Sequence, residues 1–190
     1  MEIQPSLHSP QVLLLIDWDN LFYGLFNRFG GVEGMHIEER LDKLLKWVSG
    51  EIGIILGGHG FVFAPEHLTL IHQQMCIKHG LILITCPKRH LQEPRMNIEK
   101  GRIETEEDTV DQTIIDFAKM MIGHPDLKTI LLVSGDNDYV PLFEELGRRG
   151  ILRALAPPTL NSLAKKAELI NLVDINPKTG KKMLLVLDEI

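Results

Sequence analysis

The sequence predicts an α/β fold, a three-layer α-β-α sandwich around a mainly parallel sheet. Three observations predict it. Two apolar runs, VLLLI at residues 12–16 and ILLV at 130–133, are continuous rather than alternating, as in strands covered on both faces. Each is followed at once by acidic residues and then by a helical pattern. Between them, short apolar strands alternate with longer segments of helical period, the rhythm of strand–helix–strand crossovers.

Taken in order, residues 1–11 read as a loose tail, 12–175 as the folded domain and 176–190 as a turn with a terminal edge strand. After the strand at 12–16, LFYGLFNRF continues as a helix with an apolar stripe, ended by Gly30-Gly31 and Gly34. Ile37, Leu41, Leu44, Leu45 and Val48 share one face of a second helix. GIILGGHG is ambiguous; a strand is expected at about Gly60–Phe63, with Pro65 opening the next helix and Gly80 closing it. LILIT, residues 81–85, reads as another buried strand. Residues 87–104 lack a clean period and contain two prolines, so they read as an exposed irregular excursion. A helix is expected from about Glu106 to Ile122 with Thr105 as N-cap, then the strand at 130–133 and a helix from Tyr139 to Arg149. ILRALA is a short strand, PPTLNSLAKKAELI a loop and helix, and Leu172–Ile175 and Met183–Leu187 are expected strands. The last of these could serve a contact with a second copy or another protein.

The totals bound the function. The chain has 190 residues, 44% hydrophobic and 24% charged, enough for one self-sufficient core. A formal net charge of −6 means that any nucleic-acid site must be a local basic patch. The excursion at 87–104 supplies one, with Lys88, Arg89, Arg95, Lys100 and Arg102. Cys76 and Cys86 lack metal-ligand spacing and read as structural thiols. No apolar stretch is long enough for a membrane span, and the N-terminus lacks the signal-peptide pattern, so a cytoplasmic setting without membrane contact is expected. Glycine motifs for nucleotide phosphates are missing, as are Ser/His/Asp and Cys/His arrangements.

What remains is acid. Asp17 and Asp19 follow the first strand, and Asp136 and Asp138 follow the central one. Asp111 sits at the start of the helix in EEDTVDQTIIDFA, with Asp108 one turn earlier and Asp116 further round. Strand C-terminal ends in open α/β sheets form the ligand crevice. Carboxylates converging there repel one another, and a hard divalent cation, Mg²⁺ or Mn²⁺, relieves the repulsion. Such a site can hydrolyse a phosphodiester with an activated water. A lone Asp at a strand end is ordinarily a turn or capping residue, and Ser134 and Asn20 could serve in the same way. Three acidic segments at corresponding places on one frame favour the site.

SGDNDYVPLFEELGRRG and LLLIDWDNL together resemble the NYN domain of the PIN-like ribonuclease superfamily, over roughly residues 12–175. In that family a strand ends in Asp with Asn three residues on, as at Asp17 and Asn20. A helix contributes Val-Asp, as at Val110-Asp111, and a Ser-Gly-Asp-x-Asp motif precedes an aromatic and Pro-Leu, as from Ser134 to Leu142. The resemblance implies a Mg²⁺- or Mn²⁺-dependent nuclease acting mainly on RNA. Asp17, Asp111, Asp136 and Asp138 would be its metal-binding, catalytic acids, and Asn20 would help position them. Asp19 falls at a position the family varies. The basic excursion would be a phosphate-contacting lip.

Two other readings compete. A haloacid-dehalogenase-like phosphatase would use Asp17, Asp19, Thr85 and Asp136, but it leaves Asp111 without a duty. A non-catalytic binding or assembly module would keep the fold and ignore the metal.

Overall fold

The computed structural model describes residues 11–66, 70–97, 102–107, 109–159 and 167–190. Its centre is a six-stranded sheet built on β1 (Gln11–Asp17) and β7 (Leu127–Val133), with every strand pair parallel. From β1 the order runs outward through β3 (Gly60–Pro65) to β4 (Leu81–Cys86), and from β7 to β8 (Leu152–Leu155). The two-residue β2 (Ile54–Ile55) pairs with the start of β1. Strand order therefore reverses between β1 and β7, which makes their C-terminal ends a topological switch point. The register Ile16↔Val133 brings Asp17 level with the turn at Ser134.

Both apolar runs are completely buried, as their unbroken pattern predicts. Right-handed crossovers put α1 (Trp18–Phe29), α3 (Ile37–Trp47) and α4 (Leu70–Lys78) on one face, and α5 (Val110–Met121) and α6 (Val140–Arg148) on the other. Contacts within each set agree. His72 of α4 packs on Trp18 and Phe22 of α1, Lys78 of α4 pairs with Glu38 of α3, and Lys119 of α5 lies 3.9 Å from Glu145 of α6. A short helix, α2 (Val32–Met35), separates α1 from α3. Gly30 closes α1 at φ 72°, and its N–H donates to Phe26 O.

Several expectations are corrected. Pro65 ends β3 rather than opening a helix. β4 lies at the sheet edge, so its middle residues are only partly covered and Ile82 is exposed, while Leu81 and Cys86 at its ends are buried. The excursion is not irregular: β5 (Arg89–Asn97) and β6 (Arg102–Glu107) form an antiparallel ribbon. Arg89 pairs with Glu107 and Arg95 with Glu104, while residues 91–94, including Pro94, bulge out. None of the ribbon residues whose burial is described belongs to the core, so it carries no apolar alternation for a sequence reading to detect. Thr105 and Glu106 belong to β6, and α5 begins at Val110 with Thr109 before it.

At the C-terminus, neither Leu172–Ile175 nor Met183–Leu187 is a strand. Only the isolated bridges Ile175↔Lys182 and Leu155↔Leu184 form. Asn176 Oδ1 accepts the N–H groups of Lys178 and Thr179 and tightens the intervening turn. Met183 and Leu187 are buried within this chain, so they are not a free surface for a partner. The residues between Thr159 and α7 (Ala167–Asn171) lie outside the described ones.

Asp174 takes the place of a ladder partner for β8. It accepts bonds from Arg153 N–H and Nε at 2.8 Å each and from Nη2 at 2.6 Å. Asp174→Ala strands a partly buried guanidinium and a backbone N–H, and should cost about 2–3 kcal/mol in denaturant unfolding. Asp174→Asn should cost less.

Candidate metal centre

Asp17 is both the last residue of β1 and the N-cap of α1, and it is 4% exposed. Its Oδ1 accepts the Asn20 N–H at 3.1 Å. Its Oδ2 accepts from the Ser134 hydroxyl at 3.2 Å, and the Tyr139 hydroxyl lies 3.1 Å away. Asn20 answers across the crevice, with its Oδ1 accepting the Gly135 N–H at 2.8 Å. Two strand ends 117 residues apart are thus sewn together by side chains. Ser134 does two jobs, because its Oγ also accepts the Asp136 N–H at 3.1 Å.

The turn after β7 places the next acids. Asp136 caps a 3-10 turn, Asn137–Tyr139, by accepting the Asp138 N–H at 3.2 Å. Asp138 is exposed, Asp136 half-buried and Tyr139 fully buried. From the opposite helix layer, Asp111 enters in the first turn of α5, where the helix dipole favours a carboxylate. Ligand oxygens of Asp111, Asp136 and Asp138 come within 4.8 Å of one another. At that spacing each pair of negative charges repels by roughly 3 kcal/mol near a protein surface.

This trio fits a hard cation. All its donors are oxygen, which suits Mg²⁺ or Mn²⁺. Between two of the acids in sequence, the buried Oδ1 of Asn137 has no hydrogen-bond partner among the described residues. A buried acceptor left unpaired costs about 1–3 kcal/mol, and a water or ion is the ordinary relief.

The other expected residues distribute unevenly around this trio. Asp17 is not a member: it sits behind the trio, linked to Asp111 by Tyr139, whose hydroxyl is 2.6 Å from Asp111 Oδ1. Asp19, in the first turn of α1, is not a member either. Asp116 bonds to Gln112 on the exposed side of α5, and Asp108 lies outside the described residues. The ribbon rises beside the centre, where Thr109 Oγ1 donates to Pro87 O at 2.6 Å. On it, Arg89 binds Glu107, and Lys88 lies 3.9 Å from Glu106. The backbones of Arg95 and Arg102 are on the ribbon, and Lys100 lies outside the described residues.

Tyr139 is the residue that the sequence reading missed. The sequence offers it as the aromatic of the Ser-Gly-Asp-x-Asp motif and as the start of a helix, and neither reading gives its hydroxyl a role. Its phenol has one proton for two carboxylates. The shorter bond gives that proton to Asp111, and the Asp17 contact is then satisfied when Asp17 is itself protonated. The electrostatics agree: burial, with the Asp111 charge second, pushes Asp17 up to about 7, against the lowering effect of its hydrogen bonds. Burial and the flanking acids likewise hold the Tyr139 phenol protonated.

A carboxyl whose folded pKa is raised stabilises the fold below its unfolded value, near 3.8, and that contribution is lost as pH climbs through about 7. In chelator, stability should therefore fall from pH 5 to 8.5. Asp17→Asn, which mimics the protonated acid, should flatten this component and be more stable than the native chain at pH 8.5, by up to about 4 kcal/mol. Denaturant unfolding of both proteins at the two pH values reads the difference.

No protein-family model and no curated protein matches the sequence. Among solved structures, the chain is similar to a crystal structure of a protein of unknown function from Vibrio parahaemolyticus. The two are 17% identical, with a TM-score of 0.66 and 98% of each chain covered. That likeness is one of fold, an α/β arrangement with a mainly parallel central sheet flanked by helices.

Proposed function

We propose that this protein is a metal-dependent ribonuclease of the NYN, PIN-like kind, hydrolysing RNA phosphodiesters with Mg²⁺ or Mn²⁺. The observation that carries the proposal is the approach of Asp111, Asp136 and Asp138 within 4.8 Å at the switch point of a parallel sheet. Two elements, the first turn of α5 and the turn after β7, converge on one set of oxygen donors. The cation, when bound, supplies Lewis acidity toward a phosphoryl oxygen and a lowered pKa for water. Asp111, Asp136 and Asp138 would hold it. Asp17, Ser134 and Asn20 keep the two strand ends in register beneath it. RNA as the substrate rests on the motif resemblance and on the basic residues of the neighbouring ribbon.

The phosphatase reading fares worse on physical grounds. A nucleophilic Asp17 must be reachable and charged, yet it is 4% exposed and pushed up to about 7 by burial. Thr85 lies on β4, with β3 between it and β1.

Incubated with a mixed single-stranded RNA pool and Mn²⁺, the purified protein should cleave, and chelator should stop it. Asp136→Asn should lower kcat by at least about 100-fold while the melting temperature holds. Cleavage that persists in that variant, or that ignores chelator, sinks the proposal. A non-catalytic module would bind RNA equally with and without metal. Exposed ion pairs such as Arg89–Glu107 are weak, so phosphate can displace the glutamate. Arg89→Glu with Arg95→Glu should weaken RNA binding and reduce the salt slope by roughly 2, with little change in kcat.

A further inference from the structure

We propose that Tyr139 is the positioning residue of this centre: its phenol ties the buried Asp17 to Asp111 and fixes how the Asp111 carboxylate meets the cation. The inference rests on the metal-centre reading above. It assigns Asp17 to the anchor rather than to the ligand set.

The anchor is rigid. Asp17 is 4% exposed, with the Asn20 N–H at 3.1 Å on one oxygen and the Ser134 hydroxyl at 3.2 Å on the other. Tyr139 is fully buried in a turn that Asp136 caps. The ligand to be fixed is less covered. Asp111 is half-exposed, in the first turn of a helix whose preceding residue, Thr109, makes no side-chain capping bond. The Thr109 hydroxyl is spent on Pro87 O, at the base of the ribbon. The 2.6 Å contact from the phenol therefore connects the α5 carboxylate to the strand ends.

Sequence adjacency strengthens the case. Tyr139 follows Asp138 directly, so the turn that places one ligand also places the group that orients another. Phenylalanine fills the same volume and keeps the packing. What it removes is the hydroxyl between two carboxylates. Partners of this kind, one shell out from a metal, commonly govern affinity by 10–100-fold, so about tenfold is the expected loss.

The test needs no RNA. Native protein, Tyr139→Phe, Asp17→Asn and Asp136→Asn are titrated with Mn²⁺, and with Tb³⁺ as a luminescent probe. Decay lifetimes in H₂O and D₂O count the waters left on the bound ion. The native chain should bind, and Asp136→Asn should lose most of its affinity. Tyr139→Phe should stay folded with a lower metal-free melting temperature, because buried Asp17 loses one partner, and should bind about tenfold more weakly and carry additional water. Asp17→Asn, which can still bond to the phenol, should keep the native water count. If Tyr139→Phe matches the native chain in affinity and hydration while Asp136→Asn fails to bind, the inference is overturned and the metal centre stands. Extra water in Asp17→Asn would make Asp17 a direct ligand and also overturn the inference. A native chain that binds neither ion overturns both readings.

Discussion

The structure depends on a buried carboxyl group that is never left alone. Asp17 sits where a parallel strand becomes a helix, in a place from which water is excluded. Burying a charge there without partners would cost several kcal/mol. The fold answers with a backbone N–H, a serine hydroxyl and a phenol. Two of these three partners belong to the segment following β7, so satisfying Asp17 requires β1 and β7 to be in register. The polar web and the apolar ladder beneath it specify the same alignment.

That alignment sets the chemistry at the surface. A doubly wound sheet opens a crevice where its strand order reverses, and here the two strands flanking the reversal both lead into acids, Asp17 at the end of β1 and Asp136 and Asp138 after β7. Layered burial then divides labour among residues of identical chemistry. Asp17 is covered, Asp111 and Asp136 are half-covered, and Asp138 faces solvent. Only the last three bring oxygens close enough to share an ion. The covered one does its work on protein partners. Identical side chains acquire different roles because depth changes what it costs to be charged.

Much of this was legible in the sequence, and the reasons for the exceptions are physical. The unbroken runs at 12–16 and 130–133 foretold strands buried on both faces, because only such strands can dispense with polar residues. The acids after each run foretold a crevice. The ribbon at 89–107 was not legible, because its strands are held by cross-strand pairs such as Arg89 with Glu107 rather than by burial. Charge pairs leave no periodic trace. The C-terminal segments misled in the opposite sense. Met183 and Leu187 are apolar because they are buried, yet their segment makes single bridges at Lys182 and Leu184 in place of a ladder. Tyr139 was hidden by the ambiguity of aromatic residues, since nothing local says whether a tyrosine is kept for its ring or for its hydroxyl.

The parallel ladder between β1 and β7 also sets a schedule. Each contact in it closes a loop of more than one hundred residues, so its assembly is slow compared with that of local helices and turns. A chain emerging from the ribosome holds Asp17 long before Ser134 and Tyr139 exist to satisfy it. Until they arrive, the first strand end is an unpaired acid on an exposed hydrophobic edge, and the trio of Asp111, Asp136 and Asp138 is incomplete. Any activity built on that trio is silent throughout synthesis, switched on by completion of the fold rather than by a separate regulator.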